Sequence, residues 1–192
     1  MTAAAVLLAG GSGTRFGSEN PKLLADLNGK PVVRWAIESA RASGLPALYV
    51  VTGAVDLTAV SAEATLVPND QWAEGLASSL QAGIAAARVD GHDAVVVALA
   101  DQPHISPEAW RAVAAATGTA IAVATYEGKR GHPVRLAHEV WSDLPRSGED
   151  GARALMRERP ELVTEVPCTS GSSRDIDTAE DLDRFNSPTR SA

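Results

Sequence analysis

The feature that most constrains this chain is a set of short apolar runs that do not alternate with polar residues. Residues 3–9 (AAAVLLA), 46–52 (PALYVVT), 64–68 (ATLVP), 93–100 (DAVVVALA) and 119–126 (TAIAVATY) have strand length and are rich in valine, leucine and alanine. A strand with one wet face alternates in polarity, whereas a continuously apolar strand needs cover on both faces. Between the runs, residues 31–44, 75–88 and 106–118 carry apolar side chains at helical spacing. Pro107 follows Ser106 at a first helical turn, and Gly44 and Gly118 stand at helix ends. Strands alternating with helices require crossover connections, so the expected fold is α/β with a mostly parallel sheet. Beyond residue 126 the pattern loosens across GKRGHPVRL, then gives a helical stretch at 150–159, a strand LVTEVP and a final DIDTAEDLDRF. No linker or repeat interrupts the chain, so one domain over 1–192 is expected, with the end NSPTRSA frayed.

Charge narrows the function classes. The formal net charge is -7, and only three of the 17 basic residues are lysines, namely Lys22, Lys30 and Lys129. A nucleic-acid partner would call for a basic stripe, which is missing. The single cysteine, Cys168, permits no internal disulfide and reads as a small apolar residue in a reducing compartment. The start MTAAAVLLAGG lacks a basic leader and carries too short an apolar run for a span. A cytoplasmic protein that engages neither membrane nor nucleic acid is the expectation.

The first apolar run opens into GGSGTRFGSENPKL. No register of this loop yields the Walker spacing of glycine, four residues and Gly-Lys-Ser/Thr. A dinucleotide fingerprint begun at Gly11 and Gly13 meets Phe16 where the third glycine belongs, and the second strand ends in Gly53 rather than a ribose-binding carboxylate. An NAD(P)-dependent oxidoreductase is therefore disfavoured. What remains is a nest of exposed amides with two spaced cations, Arg15 and Lys22. Glycines let phosphates approach the backbone, an arginine grips two phosphate oxygens, and a lysine acts as a mobile point charge. The pattern fits a nucleoside triphosphate site.

Taken with later stretches, this loop resembles the signature of the MobA-like nucleotidyltransferase superfamily. NDQWAEGLASSLQAGI (69–84), LADQPHIS (99–106), RGHPVRL (130–136), GEDGAR (148–153) and DIDTAEDL (175–182) follow in the order and spacing of molybdenum cofactor cytidylyltransferases. The resemblance spans nearly the whole chain. It implies a Rossmann-like three-layer nucleotidyltransferase domain that moves CMP from CTP to the phosphate of molybdopterin cofactor, releasing pyrophosphate. Its partners would be CTP or GTP, a phosphate-bearing pterin, and a molybdoenzyme or its chaperone. Guanylyl transfer, a sugar or polyol phosphate acceptor, and a non-catalytic cofactor carrier are the alternatives.

Site residues follow from motif and chemistry together. Asp101 ends a buried strand, where open α/β sheets place their ligands, and a carboxylate there is a natural magnesium ligand. Asp177 matches the position of a second metal ligand in related enzymes, and Asp175 is a weaker candidate. Leu8, Ala9, Gly10, Gly11, Gly13, Arg15 and Lys22 would bind the nucleotide, with Arg15, Lys22 and Asp101 in catalysis. Gly75 and Ser78, at a helix N-terminus with free amides, would contact base and ribose. His132 and Arg153 would meet the acceptor. Thr178 should start the last helix, leaving Asp181 as a capping residue. Cytidylyl members usually read AAG where this chain has Ala9-Gly10-Gly11, and LAGG is more typical of guanylyl transfer, whereas the later motifs resemble the cytidylyl branch.

Overall fold

The computed structural model describes residues 2–11, 13, 16 and 21–186, so Arg15 and the stretch 187–192 lie outside the described residues. Strand β1 (Ala3–Ala9) runs into the glycine loop; a small hairpin, β2 (Asp26–Leu27) and β3 (Lys30–Pro31), then leads into helix α1 (Val32–Ala42). There follow β4 (Leu48–Thr52), β5 (Thr65–Pro68), α2 (Leu76–Val89), β6 (Ala94–Leu99), α3 (Pro107–Ala115), β7 (Ile121–Tyr126) and β8 (Lys129–Ala137). Helix α4 (Ala152–Glu158), β9 (Val163–Pro167) and α5 (Ala179–Asn186) complete the described chain. Among the described residues the main sheet has seven strands in the order β5-β4-β1-β6-β8-β7-β9, all parallel except β8.

The continuous apolar runs are explained by cover on both faces. Ala4, Val6 and Leu8 point to one side, where they meet Leu80 and Ile84 of α2 and Leu155 and Met156 of α4. Ala5, Leu7 and Ala9 point to the other, against Val33 and Ile37 of α1 and Trp110 of α3. Period two along β1 thus feeds two cores at once. A third, smaller core joins Phe16, Ala25, Leu27 and Val32 to Ile176, which is fully buried.

Local signals hold where they rest on specific side chains. Ser106 caps α3, its Oγ accepting from the Ala109 amide at 3.2 Å, with Pro107 at the first turn. Thr178 and Asp181 cap α5 reciprocally: the Asp181 amide donates to Thr178 Oγ1 at 3.1 Å, and the Thr178 amide to Asp181 Oδ2 at 3.1 Å.

The segment GKRGHPVRL is a correction to the sequence reading. It forms β8, a nine-residue strand set antiparallel between β6 and β7. Its period is hidden because the pairing jumps from Val123↔Val134 to Ala124↔Gly131, leaving His132 and Pro133 outside the ladder. A proline has no N–H for the ladder, so such a run reads as broken. The peptide bond between these two residues is cis.

Candidate active site

Strand order reverses at β1: β4 and β5 lie on one side, and β6 returns to pair on the other. Ligands of open α/β sheets bind at such a switch point, beyond the carboxyl ends of the strands. Here the glycine loop leaves β1 and Asp101 follows β6, in the register Leu8↔Leu99, and the Ala100 amide donates to the Leu8 carbonyl at 3.0 Å. The end of β1 is therefore fixed against the strand that precedes the carboxylate.

Two distant segments complete the cluster. Lys22 opens a short 3-10 turn (Lys22–Leu24) anchored by buried Leu23, and its ammonium donates to Asp101 Oδ2 at 2.6 Å. The same ammonium reaches Asp177 Oδ1 at 3.5 Å. Asp177 is held there by its neighbour: the Ile176 amide donates to the Asp101 carbonyl at 3.1 Å, while the Ile176 side chain fills the third core. The structure thus brings together Lys22, Asp101 and Asp177, as the sequence reading requires. It also pairs the lysine directly with the two carboxylates, which the sequence did not suggest.

Electrostatically the cluster is acidic. Burial pushes the Asp101 carboxyl above its ordinary range, outweighing the downward pull of Lys22, and the nearby Asp175 charge adds to the rise. Asp101 Oδ1 is buried with no hydrogen-bond partner among the described residues. A buried carboxylate oxygen without a partner, with a second carboxylate sharing the same lysine, suits a hard divalent cation, since magnesium takes one or two carboxylates together with substrate phosphates. The residues present fit that ion.

Two glycines at the ends of β1 and β4 pack too tightly for side chains. A β-carbon on Gly10 would stand 2.6 Å from Ser79 Oγ, and one on Gly53 would stand 2.5 Å from the Gly10 carbonyl. A ribose-binding carboxylate at the end of β4 has no room here, which removes the footing of the oxidoreductase alternative. Asn69 organises the floor, its Nδ2 donating to Ser78 Oγ at 3.0 Å and Ser79 Oγ at 3.1 Å.

The expectation of free amides at the start of α2 needs correcting. The Ala77 amide donates to the Gly148 carbonyl at 2.9 Å and the Ser78 amide to Gly75 at 3.2 Å. The Ser78 hydroxyl is itself engaged with the Gln71 and Gly75 carbonyls. Gly75 has φ +101, and a β-carbon there would lie 2.6 Å from the Gly148 backbone. Gly75 and the Ala77 amide thus dock the 148–151 loop onto α2, while Ser78 ties the start of the helix to the Gln71 turn.

Beside the carboxylates opens a cavity of about 520 Å³. Leu8, Leu80, Val97, Val123, Val134 and Met156 give it an aliphatic floor; His132, Arg153 and Asp175 also line it, with Arg130 paired to Glu165 and Arg157 to Asp150. His132 is there because it falls out of the β8 ladder. Burial, together with the Arg153 charge, lowers its imidazole from 6.5 to about 4, so it is neutral at neutral pH. Arg130 and Arg157 were not singled out in the sequence; their presence in basic motifs either side of the pocket was the available signal.

A glycine loop at a β1/β6 switch point, a lysine between two carboxylates and an adjoining cavity lined by His132 and Arg153 define the nucleotidyltransferase class of α/β domain. The chain belongs to the MobA-like NTP transferase domain family, whose model matches residues 5–163. It is 28% identical to the purine catabolism protein PucB of Bacillus subtilis, covering 93% of both chains. It is 34% identical to the bifunctional protein GlmU of Geobacter metallireducens over 64% of this chain, spanning about a quarter (27%) of that longer protein. Among solved structures, Rv0371c from Mycobacterium tuberculosis superposes with a TM-score of 0.82 at 27% identity, covering 97% of this chain and 98% of that one. The same mycobacterial protein is also known in complex with manganese, at a TM-score of 0.78 and 26% identity, covering 96% and 98%. Among the described residues no helix is long and apolar enough to cross a membrane.

Proposed function

We propose that this protein transfers CMP from CTP to the phosphate of molybdopterin cofactor, releasing pyrophosphate. The observation that supports the reading is the nearness of the Lys22–Asp101–Asp177 cluster to the cavity lined by His132 and Arg153, read as a nucleotide site beside an acceptor site. Leu8, Ala9, Gly10, Gly11 and Gly13 offer backbone to the nucleotide. Arg15 steadies the leaving pyrophosphate, and Lys22 meets the α-phosphate. Asp101 and Asp177 would hold magnesium, a reading supported by the manganese complex of Rv0371c. Bound there, the ion would neutralise charge developing on the phosphates.

The acceptor phosphate oxygen attacks the α-phosphorus in line, the bond to the bridging oxygen breaks, and pyrophosphate departs opposite. Arg153 supplies positive charge to the acceptor phosphate, and neutral His132 supplies a hydrogen bond. The aliphatic floor favours an acceptor with a flat ring over a sugar or polyol phosphate, whose hydroxyls would be buried without partners. The product would pass to a molybdoenzyme or its chaperone in the cytoplasm.

Offering each nucleoside triphosphate with molybdenum cofactor and magnesium, and measuring pyrophosphate release, tests the reading. Release with CTP and this acceptor is expected. Release only with a sugar or polyol phosphate would replace the acceptor, and no release with any acceptor would return the chain to a carrier role.

A further inference from the structure

We infer that the Lys22 ammonium and a divalent ion compete for the same two carboxylates, and that nucleotide relieves the competition by drawing the lysine away. The inference rests on the reading of Asp101 and Asp177 as metal ligands. Its basis is position: the ammonium lies 2.6 Å from one carboxylate and 3.5 Å from the other, within the space that an ion shared by the two would need. The Lys22 and Asp101 side chains are only 13% and 16% exposed, so solvent screens neither their attraction nor the repulsion of an incoming cation.

The lysine stem is aimed at this place by its surroundings. Buried Leu23 fixes the following residue, and Lys22 Cβ lies 3.2 Å from where a β-carbon on Gly13 would stand. The stem is thereby pinned against the glycine loop at its base, while its four-carbon chain keeps the freedom to swing its head. Without nucleotide the only anions in its reach among the described residues are carboxylates, and Asp175 adds a third negative charge to the field. A triphosphate in the loop offers the ammonium a second anionic partner. Once Lys22 turns to it, the two carboxylates face each other without a counter-ion and become a strong cation site.

Metal and nucleotide binding are therefore coupled through one side chain. By linkage, each raises the affinity for the other by the same factor. In the nucleotide-free protein, Lys22 and the metal compete. The arrangement keeps the carboxylates together and charge-balanced before substrate arrives, and it delays metal capture until there is a phosphate to act on.

Two measurements test this. First, Mn2+ titrations read by the electron paramagnetic resonance of the free ion compare wild type, Lys22→Met and Lys22→Arg at pH 8, with and without CTP. Lys22→Met keeps the stem and removes the charge, so it should bind Mn2+ at least about tenfold tighter without CTP, while Lys22→Arg stays near wild type. Equal or weaker binding by a folded Lys22→Met overturns the inference alone. Absence of saturable Mn2+ binding in all three proteins, with and without CTP, overturns the metal-site reading and the inference with it. Second, wild-type protein labelled with 13C at lysine Cε has three side-chain signals, one for each lysine. Magnesium with CTP should shift the Lys22 signal and leave Lys30 and Lys129 in place. A Lys22 signal that stays unmoved while the metal binds overturns the inference without recourse to any variant.

Discussion

The Ser79 hydroxyl occupies the space that a β-carbon on Gly10 would need, 2.6 Å from its position. The hydroxyl is held in place by Asn69 at 3.1 Å, so it cannot turn aside without losing that bond. Gly10→Ala should accordingly destabilise the protein by about 1–3 kcal/mol. In a Ser79→Ala background the nearest atoms become Trp72 Cβ at 3.5 Å and the residue-79 Cβ at 3.7 Å, ordinary contacts, and most of the cost should vanish. Urea midpoints of the four proteins give the coupling; strict additivity would show that the pair does not interact.

This packing bears on base choice. In this chain the second residue of the Ala9-Gly10-Gly11 segment is glycine for a steric reason beneath the loop, independently of which base lies above it. CTP should be preferred over GTP, because NDQWAEGLASSL, RGHP and DIDTAEDL resemble the cytidylyl branch and a residue-10 β-carbon would point beneath the loop. Competition between the two nucleotides at equal concentration measures the ratio, and dominant guanylyl transfer would reverse the assignment.

Asp101→Asn keeps the shape of the side chain while removing its charge. Turnover should fall by about a hundredfold or more, on the order of 2.7 kcal/mol of barrier, with the fold retained. Magnesium-dependent turnover close to wild type in a correctly folded variant would sink the role given to Asp101.

His132 gives the acid side of the stability profile a definite sign. In the folded protein its imidazole titrates at about 4 instead of 6.5, chiefly through burial and then through Arg153. His104 is shifted in the same direction by burial and Arg174. Between those two pH values the unfolded chain binds more protons than the folded one. The contribution is fully present above 6.5 and is lost as pH falls towards 4. His132→Gln should flatten this limb relative to wild type in denaturation series from pH 7 to 4; parallel profiles would contradict the burial of the ring.

Gly75→Ala strains the backbone twice, through φ +101 and through a β-carbon 2.6 Å from Gly148. A loss of about 1–3 kcal/mol is expected, together with faster amide exchange at Gly148 and Ala77, whose hydrogen bonds tie the two segments. Unchanged exchange at both amides would separate the loop from the helix start.

The sequence carried those parts of the molecule that local patterns determine. Continuous apolar runs reported a sheet covered on both faces, and Asp101 at the end of one of them could be placed at its ligand edge. Ser106, Thr178 and Asp181 could be read as caps because a cap is made within four residues. The Lys22–Asp101 pair could not be read, since its members are 79 residues apart and either charge alone looks solvated. Asp177 was told from its acidic neighbours by the family resemblance alone, because its position depends on Ile176 being drawn into a core that joins the two ends of the chain. Strand β8 was hidden by a proline and two arginines, and the contact between the start of α2 and the 148–151 loop could not be read because the two lie some 70 residues apart.

Strand β8 has one more consequence. Because it runs against its neighbours, it begins where the parallel strands end, and it is joined to β7 by only Glu127 and Gly128, at φ 51 and φ 77. Arg130, Gly131 and His132, near the start of β8, line the cavity, whereas the glycine loop, Lys22 and Asp101 belong to other segments altogether. Lengthening or rewriting this one hairpin would regraft the wall of the cavity and leave the transfer chemistry intact. The wall of the cavity and the Lys22–Asp101 pair thus stand on separate segments, so that one can be rebuilt while the other stays where it is.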